Sequence, residues 1–209
     1  MLVTALEVES RAGGGVRVRV DGGPFATVAL GDVRGLGLAV GVELDERRAA
    51  EVEARAEAFA ARTVAVRLLA GQSLPGRELF RRLTRKSHAP EVAERVVAAL
   101  VAEGLVNDAE FARTFARSRA ARRRYGPSRI EADLRRMGVD RRLASEAVAE
   151  SFEREGLDPR ALLQEAVDKK VASLAGLSPD VRRRHLRAYL VRRGFPSSDI
   201  IEALRRHAR

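Results

Sequence analysis

GLVNDAEFARTFARSRAARRRYGPSRIEADLRRMG, residues 104–138, holds two amphipathic helices, an arginine run and a glycine-proline corner. Phe111 and Phe115 stand four apart on one side of the first helix. Ile130, Leu134 and Met137 form the apolar stripe of the second, and all five are expected in the core. Arg113, Arg117 and Arg124 fall opposite the phenylalanines, which predicts a cationic ridge along the outside of the first helix. Arg122 and Arg123 thicken that run, and Arg129 follows the corner. Gly126-Pro127 ends one helix and starts the next. Tyr125, just before the corner, reads equally as a packing residue and as a partner contact, because tyrosine has an apolar body and a polar tip. Asn107-Asp108 reads as the cap of the helix that follows.

Weaker copies of the second half lie on either side. Leu83, Leu134 and Leu190 fall in register; Ser87, Gly138 or Gly194 follows four residues later, and then His88, Val139 or Phe195. Val97, Val148 and Leu204 occupy the next apolar position of each copy. A helix precedes each copy, over 46–69, 108–124 and 160–175. Three units of three helices in series predict an elongated array, since a repeat touches mainly its neighbours. Six prolines (75, 90, 127, 159, 179 and 196) stand where helical periods begin, and Gly104, Gly138, Gly156, Gly176 and Gly194 stand where periods end.

The start of the chain differs. Leu6 and Val8 alternate with Glu7 and Glu9, and Val16, Val18 and Val20 with Arg17 and Arg19, which is a strand pattern. The GGG at 13–15 and DGGP at 21–24 are turn signals, so three short strands are expected in residues 2–30. Residues 31–44 have four glycines and no clear period, and read as a connector. Asp45 is a good N-cap for the first long helix, on which Val52, Phe59 and Val66 recur on one stripe with Ala56 and Thr63 between. The division is therefore a β element with connector over 1–44 and three helical repeats over 45–104, 105–156 and 157–209. The fold class is mainly α.

Composition narrows the function. The 209 residues are 45% apolar and 33% charged, as in a soluble globular chain, and only 4% aromatic with no Trp. A core of Ala, Val and Leu argues against an aromatic-walled cofactor pocket. With no cysteine, disulfides, thiolate catalysis and Cys-based zinc sites are excluded. MLVTALEVES carries acids where a secretory signal carries Lys or Arg, and no apolar run approaches a membrane span, so a cytoplasmic protein is expected. The net charge of +10 is uneven: residues 1–72 hold nine Arg and ten acids, whereas 73–209 hold 30 Lys or Arg against 19 acids. Such a surface attracts nucleic acid or an acidic protein face. The alternative is a solvated Arg-rich surface.

GLVNDAEFARTFARSR followed by YGPSRIEADLRRMGV resembles the signature of the RecX family, bacterial regulators of the RecA recombinase. YLVRRGFPSSDIIEAL is similar to that family's C-terminal repeat, and the N-terminal hairpin followed by LDERRAAEVE to its longer variants. The His88-Ala89-Pro90 junction departs from the acidic, proline-free turn expected there. The resemblance implies three three-helix repeats and a protein that binds RecA in its nucleoprotein filament. It implies inhibition of ATPase and strand exchange, and a role in DNA repair, homologous recombination and the SOS response. It brings no cofactor and no catalytic residue. Contact with single- or double-stranded DNA is compatible with it, and a monomer is expected. On this reading Arg113, Arg117, Arg122, Arg123, Arg124, Tyr125 and Arg129 face the partner, continued by Arg182, Arg183, Arg192 and Arg193 in the third unit.

Two other classes compete. Each helix pair could be a helix-turn-helix, but PEVAERVVAAL offers only Glu91, Glu94 and Arg95 where base-reading Asn, Gln and Arg are needed. Non-specific strand binding stays open, although so few aromatics make a poor stacking platform. For an enzyme, His88, His185 and His207 lie in different units, and neither a phosphate loop nor a carboxylate pair at metal spacing is present.

Overall fold

The computed structural model describes residues 1–9 and 14–206, so Gly13 of the first turn and His207 lie outside the described residues. Two compact units divide at Val106/Asn107.

In the first unit three strands, β1 (Val3–Glu9), β2 (Gly15–Val20) and β3 (Gly23–Ala29), form an antiparallel sheet in sequence order. Leu6 pairs with Val18, Val18 with Ala26 and Val16 with Val28, so the alternating residues share a face; Val18 and Val28 are fully buried there. Val8 is an exception and stands exposed. Asp21 and Gly22 both have positive φ, 50° and 81°, as the two-residue turn of a tight hairpin requires.

Residues 31–44 are more than a connector. A short helix, α1 (Leu30–Gly35), forms, and Leu38 and Leu44 are buried with the sheet. The chain then returns along β1: Val3 N–H donates to Val42 O (2.9 Å) and Gly41 N–H to Val3 O (2.9 Å). The open edge of β1 is thereby covered. The glycines hid this segment, because its order comes from packing and from Arg48, whose guanidinium donates to the carbonyls of Leu36, Gly37 and Glu43.

The long helix α2 (Glu46–Gly71) starts as expected, with the Asp45 carboxylate accepting from Arg48 N–H at 2.8 Å. It serves two cores. Val52 and Ala56 pack on the sheet, and the Phe59 ring lies against Gly15, where a Cβ would stand 3.0 Å from it. Ala61 and Ala65 then turn to α3 (Gly76–Arg85) and α4 (Pro90–Ala102). Val66, expected on the buried stripe, is 43% exposed. A spacing of seven drifts by about 20° per heptad on a straight helix, and here the partner also changes from sheet to helices. At the His88-Ala89-Pro90 junction α4 has no side-chain cap of its own, and Glu57 of α2 accepts from Ala89 N–H at 3.1 Å.

The second unit holds α5 (Asp108–Ala121), α6 (Pro127–Met137), α7 (Arg141–Arg154), α8 (Pro159–Ala172), α9 (Pro179–Arg193) and α10 (Ser197–Arg206) around one apolar cluster. Asn107 caps α5, accepting from Glu110 N–H at 3.0 Å. The buried stripe of α5 is alanine: Ala112, Ala116 and Ala120 are fully buried, while Phe111 and Phe115 flank them half-buried with stacked rings. Met137 is likewise half-buried, whereas Ile130 and Leu134 are buried completely.

The repeat register shows in the backbone. Leu83, Leu134 and Leu190 are all fully buried. Each carbonyl accepts from the residue five positions on, His88 (3.3 Å), Val139 (3.1 Å) or Phe195 (3.4 Å). The residue before that donor is left-handed in every copy: Ser87 at φ 67°, Gly138 at 95° and Gly194 at 81°. Gly104 and Gly156 also have positive φ, but Gly176 does not.

Candidate partner-binding surface

The arginines of the second unit separate into two environments. Along the shallow groove between α5 and α7, of about 650 Å³, cations and acids alternate. Arg113 pairs with Glu110 at 3.0 Å and Glu150 at 3.4 Å, and Arg154 pairs with Glu150 at 2.8 Å. Arg117 lines the same groove, which Glu155 also borders, without an ion pair of its own among the described residues. Of the ridge expected from the sequence, Arg113 and Arg117 lie here beside Glu110, Glu150 and Glu155, while Arg124 stands beyond the end of α5 and pairs elsewhere.

The other environment is a joint between the second and third copies. Gly126, which starts α6, donates its N–H to Arg193 O at 2.8 Å. A Cβ on Gly126 would lie 2.6 Å from the carbonyl carbon of Gly194, and one on Gly194 would run into Arg129. Only glycine lets the two backbones approach so closely. Three guanidinium groups lace the joint. Arg193 Nη2 donates to Arg124 O at 2.9 Å, Arg129 Nη1 donates to Arg192 O, and Arg124 holds Glu165 of α8 at 2.5 and 2.7 Å. Arg124 adopts φ 54°, a left-handed conformation that costs a non-glycine residue energy. The hydrogen bond from Arg124 holds the Glu165 carboxyl below its ordinary pKa.

Both tyrosines of the chain sit in this joint. The Arg129 guanidinium lies 4.4 Å and that of Arg193 5.4 Å from the Tyr125 ring centre. Arg193 and Lys170 each lie 5.7 Å from the Tyr189 ring centre. Such contacts orient the cations. Tyr125 is thus a packing residue of a cationic cluster, and Tyr189 is a member that sequence reasoning missed. Its signal was faint: a tyrosine four residues before Arg193 in a copy already known to align with Leu134. The acids that pair with the laced arginines are Glu165, with Arg124, and Asp133, 3.7 Å from Arg129 Nε. Arg122, Arg123 and Arg192 are exposed and make no ion pair among the described residues, and the Nε atoms of Arg129 and Arg193 are buried without an acceptor. The joint therefore gathers Arg124, Tyr125, Arg129 and Arg193, with Arg123 and Arg192 next to them in the chain, whereas Arg122 borders a groove with Arg117 and Glu155. Arg182 and Arg183 are not brought in, since they stand about 16 Å earlier along α9.

Among the described residues no group of His and acids is placed to hold a metal ion, and no helix is long and apolar enough to cross a membrane. Comparison with known proteins gives the lineage. A regulatory protein RecX of Pelodictyon phaeoclathratiforme is 37% identical over 145 residues, 69% of this chain and 87% of the relative. The chain belongs to the RecX family. One from Amycolatopsis mediterranei is 35% identical over 65% of this chain and 76% of its own length. Residues 107–148 match the second three-helix domain of the RecX family and 158–204 the third, so the joint lies between elements of both. A crystal structure of a regulatory protein RecX superposes with a TM-score of 0.77 over 98% of both chains at 20% identity. That of RecX from Lactobacillus salivarius gives 0.58 over 73% of this chain and 96% of that one, at 18% identity. At those identities the likeness bears on the fold alone. It is the fold read from the sequence, mostly helical with a three-stranded N-terminal sheet, and the RecX relatives carry the name of regulators.

Proposed function

We propose that the chain regulates the RecA recombinase without chemistry of its own, by seating on the nucleoprotein filament and lowering ATPase and strand exchange. The observation that carries this reading is the joint: a RecX-family chain sets Arg193, which makes no ion pair among the described residues, beside Arg124 and Arg129 where its second and third copies meet. A filament offers repeated acidic protein surface and phosphate, and a rigid cluster of forked donors suits both. Glycine-on-glycine contact and three half-buried arginines keep the cluster preorganised, so little ordering is needed on binding.

Independent, non-specific DNA binding is the second reading, and the free guanidinium groups favour it as well. The tyrosines do not add to it, because their rings already engage Arg129, Arg193 and Lys170. A pull-down on ATP-bound recombinase filaments, with bare single- and double-stranded DNA as controls, separates the two. Retention on the filament well above retention on DNA, falling as salt rises, is the expected result. Equal retention on bare DNA replaces the first reading with the second.

A further inference from the structure

The heptad stripe of α2 does not end where its core ends. Val52 is buried, Phe59 is half-buried and Val66, one heptad on, is 43% exposed. Beside Phe59 the surface falls into an apolar groove of about 450 Å³ in the first unit, between α2 and α4 and below the end of β3. Its floor is mostly methyl groups, from Ala54, Ala58, Val96 and Ala99, with the edge of Phe59. Alanines fill little of the space between two helices, so the groove has room for a large side chain brought from outside.

Its rim carries arginines on both sides, with Asp32 among them. Arg55 and Arg62 stand on α2 and Arg95 faces them from α4. Arg55 reaches Asp32 only at 3.5 Å, and both side chains remain partly in solvent. Arg62 holds Glu103 by two parallel bonds of 2.8 and 2.7 Å, with both side chains 42% exposed. The forked pair of Arg62 with Glu103 is matched, so the cations open to a partner are Arg95 and, through its long contact with Asp32, Arg55. Arg95 is exposed and has no ion pair among the described residues.

We infer that this groove docks an amphipathic helical segment of a partner protein, one that presents large aliphatic or aromatic side chains flanked by carboxylates. The apolar side chains would bury the alanine floor and Phe59, as a helix-in-groove contact does. The carboxylates would meet Arg95 and compete with Asp32 for Arg55. A basic segment would meet like charge on both rims, which selects against it.

The test uses the full chain and two labelled helical peptides that share one leucine stripe, one flanked by glutamates and the other by lysines. Fluorescence anisotropy should show saturable binding of the glutamate peptide and none of the lysine peptide. Arg95→Glu and Ala99→Glu, both at exposed positions, should each weaken the glutamate peptide at least about tenfold while circular dichroism stays unchanged. Arg95→Glu should also gain some affinity for the lysine peptide. Equal binding of both peptides, no binding of either, or affinity unaffected by the two variants would overturn the inference. A concentration-dependent dimer in sedimentation that Ala99→Glu dissolves would overturn it too, because a second copy would then be the occupant.

Discussion

On α5, Arg113 is held between Glu110 and Glu150, and the groove it borders carries as many acids as arginines. At the joint of α6 with α9, Arg193 spends its donors on a backbone carbonyl and two ring faces, and Arg129 on a carbonyl and a ring with Asp133 3.7 Å away, while Arg124 is held by Glu165. Carbonyls and rings orient a guanidinium without cancelling its charge. A row of arginines in a sequence is therefore only a count of cations. Whether it attracts a partner depends on what the fold sets opposite each one.

The largest expected effect comes from breaking the joint itself. Gly194→Ala puts a methyl into Arg129 while holding a left-handed φ, and should cost about 3–5 kcal/mol, within the range of severe packing and strain defects. Gly156 is also left-handed but has nothing within 4 Å, so Gly156→Ala should cost only about 1–2 kcal/mol of backbone strain. Urea unfolding of both variants checks the pair. Equal losses would mean that the close approach of the two glycine corners does not matter.

Next in size is the core leucine of a repeat. Leu134→Ala should cost about 2–5 kcal/mol, as deletion of a buried leucine does. Leu83→Ala should fall in the same range if the copies are equivalent. An unchanged urea midpoint for either would reject the register.

The smallest effect concerns the latch from Arg124 to Glu165. Both groups are partly exposed, so Glu165→Gln should shift the urea midpoint only slightly at neutral pH. The sign of its pH dependence is fixed by the lowered carboxyl pKa. The parent's advantage over Glu165→Gln should be present above the ordinary glutamate value of 4.5 and fade as pH falls below it, through the folded pKa. An advantage that grows on acidification would contradict the latch.

How far these regions were legible follows from the range of the interactions. The hydrogen bond from His88, Val139 or Phe195 back to a leucine carbonyl is local, and so the three copies, their prolines and their left-handed ends could be read from spacing. The hairpin turn at Asp21-Gly22 is local too. The α1 helix and the pairing of residues 41–43 with β1 were not legible, because glycine-rich chain takes its order from tertiary contacts. The stripe through Val66 misled for a related reason: periodicity marks an apolar face and leaves open what covers it. At the joint, the arginine run and Tyr125 were visible, but the meeting of Gly126 with Gly194 and of Arg124 with Glu165, 41 residues away, needed the fold. Arg113 is matched by Glu110, three residues before it, and by the distant Glu150, whereas Arg123 makes no ion pair among the described residues.

The most direct test of that partition is recombinase ATPase on single-stranded DNA, titrated with the parent and two folded double variants. Arg123→Glu with Arg192→Glu reverses uncompensated charges at the joint, and Arg113→Glu with Arg117→Glu reverses the groove of α5 and α7. The parent should inhibit, the joint variant should require at least about tenfold more protein for the same inhibition, and the groove variant should stay within a few-fold of the parent. Inhibition lost in the groove variant and kept in the joint variant would contradict the account.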